Sequence, residues 1–216
     1  MGILWTFGDS FTFGHGCRPD APTNEYYYNY KSESDDVWPN LLGQKLNVEV
    51  KNLGKCGVSN DFIIDSIIDN FDMIKPNDVV IIGKSFYQRF DVPKLNNNTF
   101  DTYCAEDLNL ISNDLKKNDN KHKLEIETIL NYGILFCDQI LFKERQNKRF
   151  KFIEKQLNSK VSKLLMWDVD SDLRKSMETI HQHTHGEIKD LHFSFKSHKI
   201  FSEFLYKKLF IKPELI

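Results

Sequence analysis

This 216-residue chain is short of three things, and each shortage excludes a class of protein. Its four cysteines, Cys17, Cys56, Cys104 and Cys137, are far apart with no C-x-x-C pair, which fits free thiols rather than a disulfide framework. A reducing, cytoplasmic location is expected. No apolar run approaches the roughly 18 to 20 residues of a membrane-spanning helix. Val79 to Gly83 and Gly133 to Cys137 are both short, and no basic region precedes a long apolar stretch as in a secretory signal. Charge of one sign is missing too: 29 Lys and Arg against 31 Asp and Glu leave a net charge of −2. No bulk field therefore recruits nucleic acid or an anionic membrane. What is present is a composition 40% hydrophobic. That suffices for the core of one domain spanning residues 1–216, without disulfides or a structural metal.

Strand and helix patterns alternate along the chain. Ile3 to Phe7 is an apolar strand running into Gly8-Asp9-Ser10, Val37 to Leu46 is helical, and Val48 to Leu53 is a short strand. Asn60 and Asp61 supply N-cap chemistry for an amphipathic helix from Phe62 to Met73, with Ile63, Ile64 and Ile67 on its buried side. Val79 to Ile82 is an unbroken apolar run, as expected of a parallel strand covered on both faces. A 3.6-residue pattern then extends from Leu124 to Asn158, with the basic run from Lys143 to Lys155 as its solvated face. Val161 to Trp167 reads as a further strand and Lys196 to Leu209 as a closing helix. Two stretches stand apart. Residues 17–36 read as a long polar and aromatic surface loop, and residues 89–120 as an Asn-rich insertion carrying one short helix. This order predicts an α/β fold with a mainly parallel sheet between helix layers, its chemistry gathered at the carboxyl ends of the strands.

Three blocks near strand ends carry suitable groups: Phe7-Gly8-Asp9-Ser10-Phe11-Thr12, Asn52-Leu53-Gly54-Lys55-Cys56-Gly57, and Asp190-Leu191-His192-Phe193-Ser194. A serine at a strand-to-helix turn has its hydroxyl beside unpaired backbone N–H groups, which suits a nucleophile. A glycine-bearing turn lets a backbone N–H approach a substrate oxygen, and an Asp plus a His activate a hydroxyl. Taken singly each block has a plainer reading, since Gly-Asp-Ser is also an ordinary turn and N-cap tripeptide.

Together and in this order, the blocks resemble the SGNH/GDSL hydrolase superfamily, and F-G-D-S-F-T-F-G from Phe7 to Gly14 is the most specific part. The resemblance implies a three-layer α/β/α sandwich with a mainly parallel, flavodoxin-like sheet of five strands. It implies Ser10 as nucleophile, His192 as general base and Asp190 as the carboxylate that orients the base, with the N–H groups of Ser10 and Gly57 as oxyanion donors. Asp9 is expected to brace the turn, and with His15 and Arg89 it is a candidate to line the substrate pocket. Two departures from the family pattern stand out. The third block, usually Gly-x-Asn-Asp, is here Gly83-Lys84-Ser85-Phe86, so Ser85 holds the Asn slot with only a hydroxyl to donate. Gln88 and Arg89 are other candidate donors, and losing one oxyanion donor typically costs about 10²- to 10³-fold in rate. The last block, usually Asp-x-x-His, has Asp190 two residues before His192, the spacing of SGNH-like polysaccharide O-acetyltransferases. Should Asp190 face away, His192 is left as the base of a Ser-His dyad.

The activity implied is hydrolysis of a small acyl ester, an O-acetyl group on a carbohydrate being expected, with no cofactor. The alternatives are an O-acyltransferase and a catalytically lapsed, glycan-binding module of the same fold. The partner expected is a small-molecule or glycan ester, its choice decided by residues 17–36 and 89–120. His181-Gln182-His183-Thr184-His185 invites a metal, but no cysteine or carboxylate cluster completes a ligand set, so a solvated loop is expected and no metal. His198 reads as a packed or capping histidine and as a fallback base. Tyr26, Tyr27, Tyr28 and Tyr30 with Trp38 form either a sugar-stacking wall or a loop packed on the body. Cys56 reads as a small buried hydrophobe.

Overall fold

A computed structural model describes residues 2–15, 37–93, 100–104, 127, 131, 139–168, 182–185, 188–193 and 195–211. The loop expected over 17–36 lies outside the described residues, and so does the insertion expected over 89–120 with its one short helix, except for residues 89–93 and 100–104. The elements in order are β1 (Ile3–Gly8), α1 (Ser10–Phe13), α2 (Trp38–Leu46), β2 (Glu49–Gly54), α3 (Asn60–Asn70) with a 3₁₀ turn (Phe71–Met73), and β3 (Val79–Lys84). They continue with β4 (Arg89–Pro93), β5 (Phe100–Cys104), α4 (Gln139–Asn158), β6 (Lys163–Asp168), β7 (Gln182–His185), β8 (Ile188–Phe193) and α5 (Phe195–Phe210).

Four strands form one parallel sheet in the order β2-β1-β3-β6. The two central strands are apolar on both faces, and alternate residues feed different cores. Leu4, Val79 and Ile81 pack with Trp38, Leu42, Phe201 and Leu205 under α2 and α5. Trp5, Phe7, Val80 and Ile82 pack with Ile63, Ile64, Ile67, Phe150, Ile153 and Leu157 under α3 and α4. The result is the expected three-layer α/β/α sandwich, and the period-2 alternation of a strand buried on both sides is its cause. Among the described residues the parallel sheet has four strands, not five. The remaining strands form two antiparallel pairs, β4 with β5 and β7 with β8. The expected insertion thus begins as a hairpin, and the histidine-bearing segment read as a loop pairs from Gln182 to His185.

Asp78 ties the start of the sheet together. Its carboxylate accepts the N–H of Ile3 at 2.7 Å, that of Lys75 at 2.8 Å and the Trp5 indole N–H at 2.8 Å. Burial pushes this carboxyl up, but those three donors outweigh it and hold the group below its ordinary range. Strand order reverses beside β1, because β2 lies on one side of it and β3 on the other. The crevice past the carboxyl ends of β1 and β3 is where an open α/β sheet gathers its working groups.

Candidate active site

β1 leads straight into a single turn of helix that is fixed at both ends. Asp9 caps it, with Oδ1 accepting the Phe11 N–H at 3.1 Å and its carbonyl accepting from Thr12 and Phe13. Gly14 closes it in the left-handed region at φ 93°, so that the N–H groups of Gly14 and His15 both donate to the Ser10 carbonyl at 3.0 Å. The Trp38 indole donates to the Phe11 carbonyl at 2.9 Å. Trp38 has no exposed surface, so it anchors this turn and is no part of a sugar-stacking wall; the four tyrosines lie outside the described residues.

Ser10 is the first residue of that turn, and His192 in β8 reaches it across 182 positions of sequence. The distance from His192 Nε2 to Ser10 Oγ is 2.9 Å. For Nε2 to accept the hydroxyl proton, the ring must carry its own proton on Nδ1. The Phe11 ring lies 5.1 Å from the His192 ring, tilted by 30°, and the His15 ring lies 4.7 Å away at 69°. Asp190 sits in the same strand, opposite His183 in the hairpin register, and its side chain lies outside the described residues.

The second block stands beside the first because Gly54 pairs with Gly8 and the Lys55 N–H donates to the Gly8 carbonyl at 3.0 Å. Asn52 fixes this junction. Its Oδ1 accepts from Thr6 Oγ1 and the Gly54 N–H, and its Nδ2 donates to the Thr12 carbonyl, all at 3.0 Å. Gly57 follows in an exposed turn at φ 73°, with open space where a side chain would stand. Cys56 is exposed rather than buried. Partial desolvation of its thiol, then the charge of Asp9, pushes it up to about 11, against the pull of Arg89.

Ser85, expected to serve an oxyanion, is fully buried and committed elsewhere. Its hydroxyl donates to Asp9 Oδ2 at 3.1 Å and accepts from Arg89 Nη1 at 2.8 Å. A hydroxyl has one proton, and Asp9 takes it, so Ser85 acts as a brace. Arg89 Nη1 also reaches Asp9 Oδ2 at 3.2 Å and the Val58 carbonyl at 3.3 Å. Asp9 and Arg89, both expected to line the pocket, therefore meet each other beside the Ser10 turn. Burial pushes the Asp9 carboxyl above the ordinary carboxylate range, opposed by Arg89, the Phe11 N–H, the Ser85 hydroxyl and His192.

Asn60 was legible only as a helix cap, whereas Ser59 takes that role by accepting from the Phe62 N–H at 3.1 Å. Asn60 instead accepts the Ser85 N–H at 2.7 Å and donates to the Ser85 carbonyl at 2.9 Å. No sequence signal marks that pairing. His198, the fallback base, is buried with Nδ1 accepting the Trp38 N–H at 3.2 Å. Burial, and then the charge of His192, pushes it down to about 3. Among the described residues, no group of three or more His, Cys, Asp or Glu side chains is placed to hold a metal ion.

No family model matches the chain, and no curated protein matches it. Solved structures of G-D-S-L lipolytic proteins do. One, a lipolytic protein of that family from Desulfitobacterium hafniense, is 15% identical, with 96% of this chain and 99% of that chain covered and a TM-score of 0.38. Another, from Veillonella parvula, is 14% identical over 97% and 98% of the two chains, with a TM-score of 0.41. An acetylxylan esterase from Geobacillus stearothermophilus is 13% identical over 98% and 95%, with a TM-score of 0.42.

Proposed function

We propose that this chain is a serine ester hydrolase of the SGNH/GDSL type, acting on a small acyl ester with an acetylated carbohydrate as the expected substrate. The observation that carries the reading is the 2.9 Å approach of His192 Nε2 to Ser10 Oγ. In this scheme Ser10 Oγ attacks the ester carbonyl while His192 Nε2 takes its proton. The oxygen of the tetrahedral intermediate accepts hydrogen bonds from the N–H groups of Ser10 and Gly57. The alcohol leaves with the proton from His192, giving an acyl-serine. Water then attacks that acyl group, His192 again takes the proton and returns it to Ser10, and the acid departs. Asp190 is assigned the Nδ1 side of the His192 ring.

Ser10→Ala is expected to lower turnover of p-nitrophenyl acetate by at least about 10⁴-fold and to abolish labelling by a fluorophosphonate probe. Unchanged turnover in that variant overturns the assignment. A second reading, a glycan-binding module of the same fold, is favoured by one observation: the buried Ser85 hydroxyl donates to Asp9 Oδ2 at 3.1 Å. It predicts wild-type protein that neither labels nor turns over short-chain esters yet binds acetylated glycans in a titration.

A further inference from the structure

We propose that His15 is a positioning residue for the base: its ring, with that of Phe11, holds the His192 imidazole so that Nε2 stays aimed at Ser10. This rests on the esterase reading for its consequence but not for its geometry. A histidine at the end of a strand retains rotation about its side-chain bonds, and a small turn of the ring takes Nε2 off the serine hydroxyl. Neighbouring rings at centroid separations near 5 Å resist such a turn. Among the described residues, Phe11, tilted at 5.1 Å, and His15, edge-on at 4.7 Å, pack their rings at His192. Both come from the segment that also carries Ser10.

The backbone explains how His15 arrives there. A helix continuing past Phe13 would carry position 15 around the helix axis. Gly14 at φ 93° breaks the turn, and the His15 N–H folds back to the Ser10 carbonyl at 3.0 Å. The His15 ring is thereby buried, at 8% exposure. Nucleophile and ring support are thus one rigid piece, so any displacement of Ser10 carries the support for its base along with it. Among the described residues, the titratable side chains that face the His192 ring include Asp9 from the Ser10 turn, His15 and His198 from α5. His15 is the one of these that also makes a ring contact described above, beside that of Phe11.

The test compares His15→Ala, His15→Leu and His15→Phe by steady-state kinetics and by the ring ¹⁵N shifts of His192. His15→Ala is expected to lower kcat for p-nitrophenyl acetate by about 10- to 100-fold, the scale of a misplaced catalytic group, with KM within about twofold. His15→Phe, which restores a flat ring, is expected to recover most of that loss, and His15→Leu to recover less. In the spectra, wild type and His15→Phe should show one His192 tautomer, protonated on Nδ1, and His15→Ala a mixture. A rise in KM with kcat unchanged overturns the proposal, because it makes His15 a substrate-lining group. So does a His15→Phe variant as impaired as His15→Ala, or a wild-type tautomer signature in His15→Ala. The spectra need no substrate, so they judge this proposal even where a wild type silent towards esters and fluorophosphonate overturns the esterase reading.

Discussion

Asp9 has no exposed surface, and its counter-ion Arg89 stands 3.2 Å away with a side chain 19% exposed. Such a pair adds little stability over an apolar core of the same shape, yet breaking it leaves a charge stranded in the interior. Arg89→Met is therefore expected to cost about 3 kcal/mol or more in urea unfolding at neutral pH. The pH dependence has a definite sign. Arg89 favours the ionised form of Asp9, so its loss is felt in full where Asp9 is charged. The cost fades as pH falls through the folded-state range of Asp9, which burial raises above 3.8. Adding Asp9→Asn to Arg89→Met removes the stranded charge and should recover much of the loss at neutral pH. Constant destabilisation across the acid range would contradict this account. The sequence marked Asp9 and Arg89 separately but could not join them, because 80 positions separate them and nothing local to either names the other.

At the scale of elements, two glycines with similar backbone angles sit in opposite surroundings. A Cβ on Gly14 would stand 2.1 Å from Val37 Cγ1, whereas one on Gly57 meets nothing within 4 Å. Gly57→Ala is expected to cost only left-handed backbone strain, about 1 kcal/mol. Gly14→Ala adds a collision in the core and should cost about 3 kcal/mol or more, and under the proposed esterase reading turnover should fall alongside as the Ser10 turn shifts. Thermal and urea unfolding of the two variants test the order; equal losses would refute it. β1 and β3 were legible because unbroken apolar runs such as Val79 to Ile82 have few other readings. The β4–β5 hairpin was not. Its strands are joined through an Asn-rich stretch with little alternation, and they are held by polar contacts, Ser59 Oγ donating to Asp91 at 2.5 Å and Thr102 Oγ1 at 2.6 Å. The histidine segment was misread for a related reason, since a polar strand in an antiparallel pair carries no apolar face to announce it.

At the scale of the molecule, two cores clasp one sheet, and His198 joins the first of them to the site. Its ring accepts from Trp38 at the start of α2 while α5 carries it, so folding buries it in the neutral form. The folded-state value of about 3 lies below the ordinary 6.5, so unfolding takes up a proton throughout that interval. Stability from this group is complete above 6.5 and drains away as pH falls towards 3. Melting temperatures measured across that interval should decline, and His198→Asn, which keeps an acceptor for Trp38, should flatten the decline. An unchanged slope in the variant would remove His198 as the cause. The layered fold was legible from the order of strands and helices; the fifth strand of its sheet was expected from family likeness rather than from any run of residues. The 182 positions between Ser10 and His192 bear also on how the protein is made. Synthesis from the N-terminus delivers Ser10 well before the base proposed for it. A ribosome-bound chain that stops short of β8 therefore holds Ser10 without the partner that Nε2 of His192 provides. Under the esterase reading, competence waits until β8 has emerged and closed on the Ser10 turn.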